Sequence, residues 1–193
     1  MLLKLLMSGA AVLAFLIAWN LSPNAAATRQ HEHPPAMLVR HMDATVGDDL
    51  KVGFQMQDCT TQRNLNEQGR DAARRHGQHL RMLGIHIGKI LASPFCRTLE
   101  TATLLNLGPV LAAPAFGNIK AEADNDQQLS EARTLLAAWN GPGALVIVTH
   151  SSTMLALTGV EPEPGGTIVL DPAPTELSKV RMVGRIETNS ARR

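Results

Sequence analysis

The sequence predicts an α/β fold, a three-layer α/β/α sandwich with a mainly parallel central sheet. Three observations predict it. Short apolar runs alternate with longer stretches of helical spacing, the pattern of strands joined by crossover helices. One run, Ala144 to Thr149, is apolar almost throughout, as a strand covered on both faces must be. Polar groups able to do chemistry fall directly after the apolar runs, where open α/β sheets bind their ligands.

Residues 1–27 stand apart from that fold. Lys4 precedes an apolar run from Leu5 to Leu21, followed by Pro23 and the small residues Ala25-Ala26-Ala27. A positive start, an apolar core and small residues at −3 and −1 predict a secretory signal peptide cleaved after Ala27. The alternative is an uncleaved membrane anchor, for which the run is near the lower length limit. Cleavage would place the mature chain in the periplasm with no stable membrane insertion. Residues 28–35 then read as a polar linker closed by Pro34-Pro35, and 36–193 as one domain. His31-Glu32-His33 lies in that linker and lacks a defined coordination shell, so no metal is expected there.

Within the domain, Ala36 to Val39 reads as the first strand and stops at Arg40-His41. Residues 42–63 lack a period and form a long loop, a length that is often functional. A helix is predicted from Asn64, with Glu67 in capping-box position, Ala72, His76, Leu80 and Leu83 on one face, and Gly84 at its stop. Lys89 to Ala92 is the second strand, Cys96 to Leu107 a helix ended by Gly108-Pro109, and Val110 to Ala112 a short third strand. Residues 113–125 are loop-like. Gln127 to Trp139 is a helix with Leu129, Ala132, Leu136 and Trp139 inward. Ala144 to Thr149 ends at His150. Thr167 to Leu170 and Val180 to Ile186 complete the sheet as a late pair suited to an antiparallel edge.

Composition excludes some partners. Lys+Arg is 18 and Asp+Glu is 17; removing Lys4 with the leader leaves 17 against 17. There is no basic stripe for nucleic acid. The only two cysteines, Cys59 and Cys96, can pair in an oxidising compartment or remain two separate buried thiols.

The strand ends carry a coherent chemistry. Arg40-His41 follows the first strand, Ser93, Arg97 and Glu100 the second, and His150 the strongest. A histidine can attack phosphorus and carry it covalently. Guanidinium forks match the non-bridging phosphoryl oxygens, and a second histidine adds a donor. Phosphoryl transfer asks mainly for positioning and charge stabilisation, which this set supplies without a cofactor.

Four motifs carry a family resemblance: LVRHMDAT at 38–45, TQRNLNEQGRDAA at 61–73, ILASPFCRTLETA at 90–102 and VIVTHSS at 146–152. Together they resemble the histidine phosphatase superfamily, in its phosphoglycerate-mutase-like branch, from about Met37 to Ile186. Met42 departs from the pattern, which has Gly or Ala there. The resemblance implies that His41 is the phosphorylated nucleophile and that Arg40, Arg97 and His150 complete the phosphate pocket. Cys59 before TTQRNL and Cys96 before Arg97 are similar to exported bacterial members, including lipopolysaccharide core heptose phosphatases. Arg63 either binds substrate or ties its loop down. The leaving-group acid is expected from the loop after the third strand, with Glu122 first and Asp43 second. The expected activity is a phosphomonoesterase acting on a small phosphorylated metabolite or an envelope sugar phosphate, so that the partner is a phosphorylated small molecule or glycan. The alternative is a protein of the same fold that binds phosphate or a phosphosugar without turnover.

Overall fold

The computed structural model describes residues 34–119, 125–171 and 180–187. The predicted leader, the linker histidines and Glu122 lie outside the described residues. Among the described residues no helix is long and apolar enough to cross a membrane.

The chain runs β1 (Ala36–Arg40), α1 (Glu67–Met82), β2 (Ile87–Ala92), α2 (Cys96–Leu105), β3 (Val110–Ala112), α3 (Asp126–Ala137), β4 (Ala144–Thr149), α4 (Ser151–Thr158), β5 (Thr167–Asp171) and β6 (Arg181–Ile186). Short 3₁₀ turns occupy Cys59–Thr61 and Pro114–Phe116. The sheet order is β3-β2-β4-β1-β5-β6. β3, β2, β4 and β1 pair in parallel, whereas β5 joins β1, and β6 joins β5, antiparallel. The parallel part of the sheet and the antiparallel edge thus fall where the sequence placed them.

Alternation along the strands builds two cores. Ala36 and Leu38 of β1, with Leu145 and Ile147 of β4, pack against Ala132 and Leu136 of α3 and Met154 and Leu157 of α4. Met37 and Val39, with Val146 and Val148, face the other way, toward Ala73 of α1 and Ala102 and Leu105 of α2. The apolar side chains of β1 and β4 on both faces are therefore buried under helices. On the second face two helices touch closely: a Cβ on Gly77 of α1 would lie 2.0 Å from the Leu105 carbonyl oxygen of α2.

Two local expectations are corrected. The N-cap of α1 is Asn66, whose side chain accepts the Gly69 N–H at 2.7 Å. Asn64 instead donates its amide to the Cys59 and Gln62 carbonyls. Leu65 explains the shift: it is buried, and the chain stays extended there to bridge Ala44. The buried face is accordingly Gly69, Ala73, His76, Gly77 and Leu80, while Leu83 is exposed. The second difference is α4, a helix that the sequence pattern does not announce. Met154-Leu155-Ala156-Leu157 is a contiguous apolar run too short to show a period, so tertiary packing decides its state.

The topology delivers the site. β1 and β4 are neighbours, with Arg40 paired to Thr149, and pairing continues past the strand as His41 N–H donates to the Thr149 carbonyl at 2.9 Å. On the other side of β4, Ser93 N–H donates to the Val148 carbonyl at 2.9 Å. The chain leaves β1 for α1 on one face and β4 for α4 on the other, which is the switch point where such sheets bind ligands.

Candidate active site

His41 sits at that switch point and is 6% exposed. Its Nδ1 lies 2.7 Å from the Met42 carbonyl oxygen. A carbonyl only accepts, so Nδ1 carries the proton and the Nε2 lone pair is left free. Burial chiefly pushes the His41 pKa down from 6.5 to about 4; the Met42 bond opposes this, and the charges of Arg97, Arg40 and Arg63 add to it. The ring is therefore neutral at pH 7, the form a nucleophile needs. Met42 fits despite the motif departure because the site uses its backbone. Its N–H donates to Thr101 Oγ1 at 3.2 Å, and its side chain is buried in the core.

A second histidine closes the space from β4. The His150 ring meets His41 at 5.4 Å between centroids and Phe95 at 4.9 Å, both edge-on. Its Nε2 lies 2.8 Å from Ser93 Oγ, a hydroxyl that can hold either tautomer. Burial, then Arg97, His41 and Arg63, push its pKa well below 6.5. The Arg97 guanidinium lies over the Phe95 ring at 4.6 Å. Arg97 does not pair with Glu100, which is taken by Arg70 at 2.6 Å.

The remaining predicted residues divide. Arg40 ties Nη1 to the Pro162 carbonyl at 2.7 Å, and Arg63 charges the site while its backbone joins the Arg97 network. Arg40 Nε and Arg63 Nε are buried and make no hydrogen bond among the described residues. Buried donors are costly when unbonded, and a phosphoryl group has the oxygens to satisfy them. Asp43 is exposed and is not among the charges acting on His41; its backbone carbonyl accepts the Asn66 N–H.

Sequence reasoning missed Asp49. Its Oδ1 accepts Arg97 Nη1 at 2.9 Å and the Arg63 N–H at 2.8 Å. It also missed Gln62, whose Oε1 accepts the Cys96 N–H at the start of α2. Both come from the aperiodic loop and act across tertiary distance, so local pattern carries no signal for them. Three guanidiniums against one carboxylate and two neutral imidazoles leave an excess positive charge suited to a phosphomonoester dianion.

Cys59 and Cys96 are disulfide-bonded, with Cα atoms 5.7 Å apart. The bridge fastens the loop after His41 to the residue before Arg97. Closing that loop is worth roughly 4 kcal/mol on the chain-entropy account. Reduction is expected to lower the melting temperature and weaken phosphate binding together. Thiol titration before and after reductant, with calorimetry on both forms, checks this; reduced protein with unchanged phosphate affinity would make the bridge purely structural.

The sequence profile of the histidine phosphatase superfamily (branch 1) matches residues 36–141, more than half of the chain and the span carrying Arg40, His41, Arg63 and Arg97. The chain belongs to the histidine phosphatase superfamily. No curated protein sequence matches it. Several solved structures resemble this histidine-type phosphatase in fold. One is the protein histidine phosphatase SixA complexed with tungstate, 15% identical over 80% of this chain and 97% of that one, TM-score 0.56. Another is phosphoserine phosphatase from Entamoeba histolytica in complex with 3-phosphoglyceric acid, 14% identical over 81% and 98%, TM-score 0.57. A mycobacterial glucosyl-3-phosphoglycerate phosphatase is 16% identical over 78% and 96%, TM-score 0.53.

The buried histidines of this phosphatase are expected to make its stability fall in acid. His76, on α1, bonds Thr167 Oγ1 through Nε2 at 2.9 Å, and burial, then the His79 charge, push its pKa to about 4. His41 and His76 thus have folded values below the 6.5 of the unfolded chain. The unfolded state takes up protons first, so stability is complete above pH 6.5 and is lost as pH falls toward 4. Each ring contributes up to about 3 kcal/mol of that loss. Denaturant unfolding from pH 7.5 to 4.5 checks the slope, and His76→Gln is expected to flatten part of it. A pH-independent midpoint would contradict buried neutral rings.

Proposed function

We propose that this chain is an exported phosphomonoesterase that hydrolyses a small phosphorylated metabolite or an envelope sugar phosphate through a phosphohistidine at His41. The observation that carries the reading is the fixed, neutral His41 ring, with its free Nε2 among Arg40, Arg63, Arg97 and His150. In the first step Nε2 attacks phosphorus, the N–P bond forms and the ester P–O bond breaks. The leaving oxygen takes a proton, with Glu122 as the expected donor. Water then attacks phosphorus and gives a proton back to the Glu122 carboxylate, the N–P bond breaks, and orthophosphate leaves with His41 neutral and Glu122 protonated again. The arginines hold the non-bridging oxygens throughout, and no metal ion is required.

Export rests on the leader pattern of residues 1–27 and agrees with the Cys59–Cys96 bridge, which belongs to oxidising compartments. The motif resemblance to lipopolysaccharide core heptose phosphatases makes phosphorylated sugars the first substrates to test. Phosphoserine and phosphoglycerate esters and the phosphoramidate phosphohistidine, named for the fold relatives, complete the panel. Mature protein from Thr28, assayed for orthophosphate release with chelator present, is expected to turn over at least one sugar phosphate. Loss in chelator, restored by a divalent ion, would refute the metal-free mechanism. No release from any ester would refute the activity. An N-terminus at Thr28 in periplasmic material is the result expected for export.

A further inference from the structure

Asp49 has no part in the steps above, yet it bonds Arg97, one of the groups those steps depend on. Arg97 is nearly enclosed, with its side chain 6% exposed, and Asp49 is 23% exposed. The Phe95 ring covers one face of the guanidinium. Nη1 donates to Asp49 Oδ1 at 2.9 Å and to the Arg63 carbonyl at 3.4 Å, which uses both of its protons. Arg97 Nε and Nη2 make no hydrogen bond among the described residues. The side edge of the fork is the part left free, and that edge binds phosphate in bidentate fashion.

Asp49 is itself held. The same Oδ1 accepts the Arg63 N–H at 2.8 Å, and the next residue, Leu50, donates its N–H to the Thr61 carbonyl at 3.0 Å. Gln62 ties the same stretch to the start of α2 through the Cys96 N–H, beside the disulfide. The carboxylate is thus fixed at the neck of the loop. It also forms part of the wall of a cleft of about 440 Å³ shared with Lys51, Phe54, Phe95 and Asn118.

Resting on the phosphatase reading of this site, we infer that Asp49 is a positioning residue that turns the Nε/Nη2 edge of Arg97 toward the phosphoryl group. A latch would behave oppositely. If Asp49 merely competed with phosphate for Arg97, removing it would tighten phosphate binding. A proton donor would differ again, since its loss would spare substrates with good leaving groups.

Asp49→Ala and Asp49→Asn separate these roles. Asp49→Ala is expected to raise the orthophosphate dissociation constant about tenfold and to lower kcat/KM for p-nitrophenyl phosphate about 100-fold, the scale on which misplaced positioning groups act. Asp49→Asn keeps an acceptor oxygen for both N–H groups and is expected to stay within about threefold of the parent in phosphate affinity. Melting temperatures of all three proteins confirm that the comparison is between folded species. Tighter or unchanged phosphate binding in Asp49→Ala overturns the inference. So does a defect confined to glycerol phosphate, whose leaving group is poor. Parent protein that binds orthophosphate but hydrolyses no ester would refute the phosphatase reading instead, while the binding series would still decide the role of Asp49.

Discussion

His41→Ala is expected to abolish turnover, with kcat falling on the order of 10⁴-fold or more, as when a covalent nucleophile is removed. Orthophosphate affinity should change far less, because Arg40, Arg63 and Arg97 remain. The variant should still fold: the lost interactions are one hydrogen bond to the Met42 carbonyl and the packing of one ring. The check pairs steady-state kinetics on the best ester of the panel with phosphate calorimetry and a melting curve. An unchanged kcat would remove His41 from the chemistry. A collapse of phosphate affinity along with kcat would make it a binding group.

Arg97→Ala is expected to have the next largest effect, a fall in kcat/KM of about 10³-fold with a clear rise in the phosphate dissociation constant. The loss has two parts. The fork no longer meets the phosphoryl oxygens, and Asp49 is left as an uncompensated carboxylate beside the site. Arg97→Lys should recover little, because an ammonium cannot lie flat over Phe95 while presenting a planar edge to phosphate. Inhibition by orthophosphate gives an independent reading of the same pocket. A lysine variant near the parent in both measurements would show that charge alone suffices.

Those two residues and His150 were legible in the sequence for a simple reason. His41, Arg97 and His150 follow apolar runs, and β-strand endings can be read from where hydrophobicity stops. The strand order was not legible: nothing local states that β4 lies between β1 and β2, which brings His150 beside His41. Asp49 was invisible for the same reason. It lies 48 residues from Arg97, in a loop whose path is set by Gln62 and the disulfide rather than by a repeating pattern. The cap of α1 shows a subtler failure. Asn64 and Asn66 are both good caps by chemistry, and the burial of Leu65 between them chose the second. Met42 shows the reverse. A side chain that departs from the motif costs nothing when the site needs only its carbonyl and the core takes the rest.

The central claim is a covalent phosphohistidine, and trapping it is the most direct test. Protein mixed with a 32P-labelled ester is quenched in alkali within the first turnover, since phosphohistidine survives base and is lost in acid. Up to one labelled phosphoryl group per chain is expected, on the peptide containing His41, attached at Nε2 and absent from His41→Ala. The label is expected to disappear at the rate of orthophosphate release. Turnover with no label, or label on any other residue, would contradict the claim.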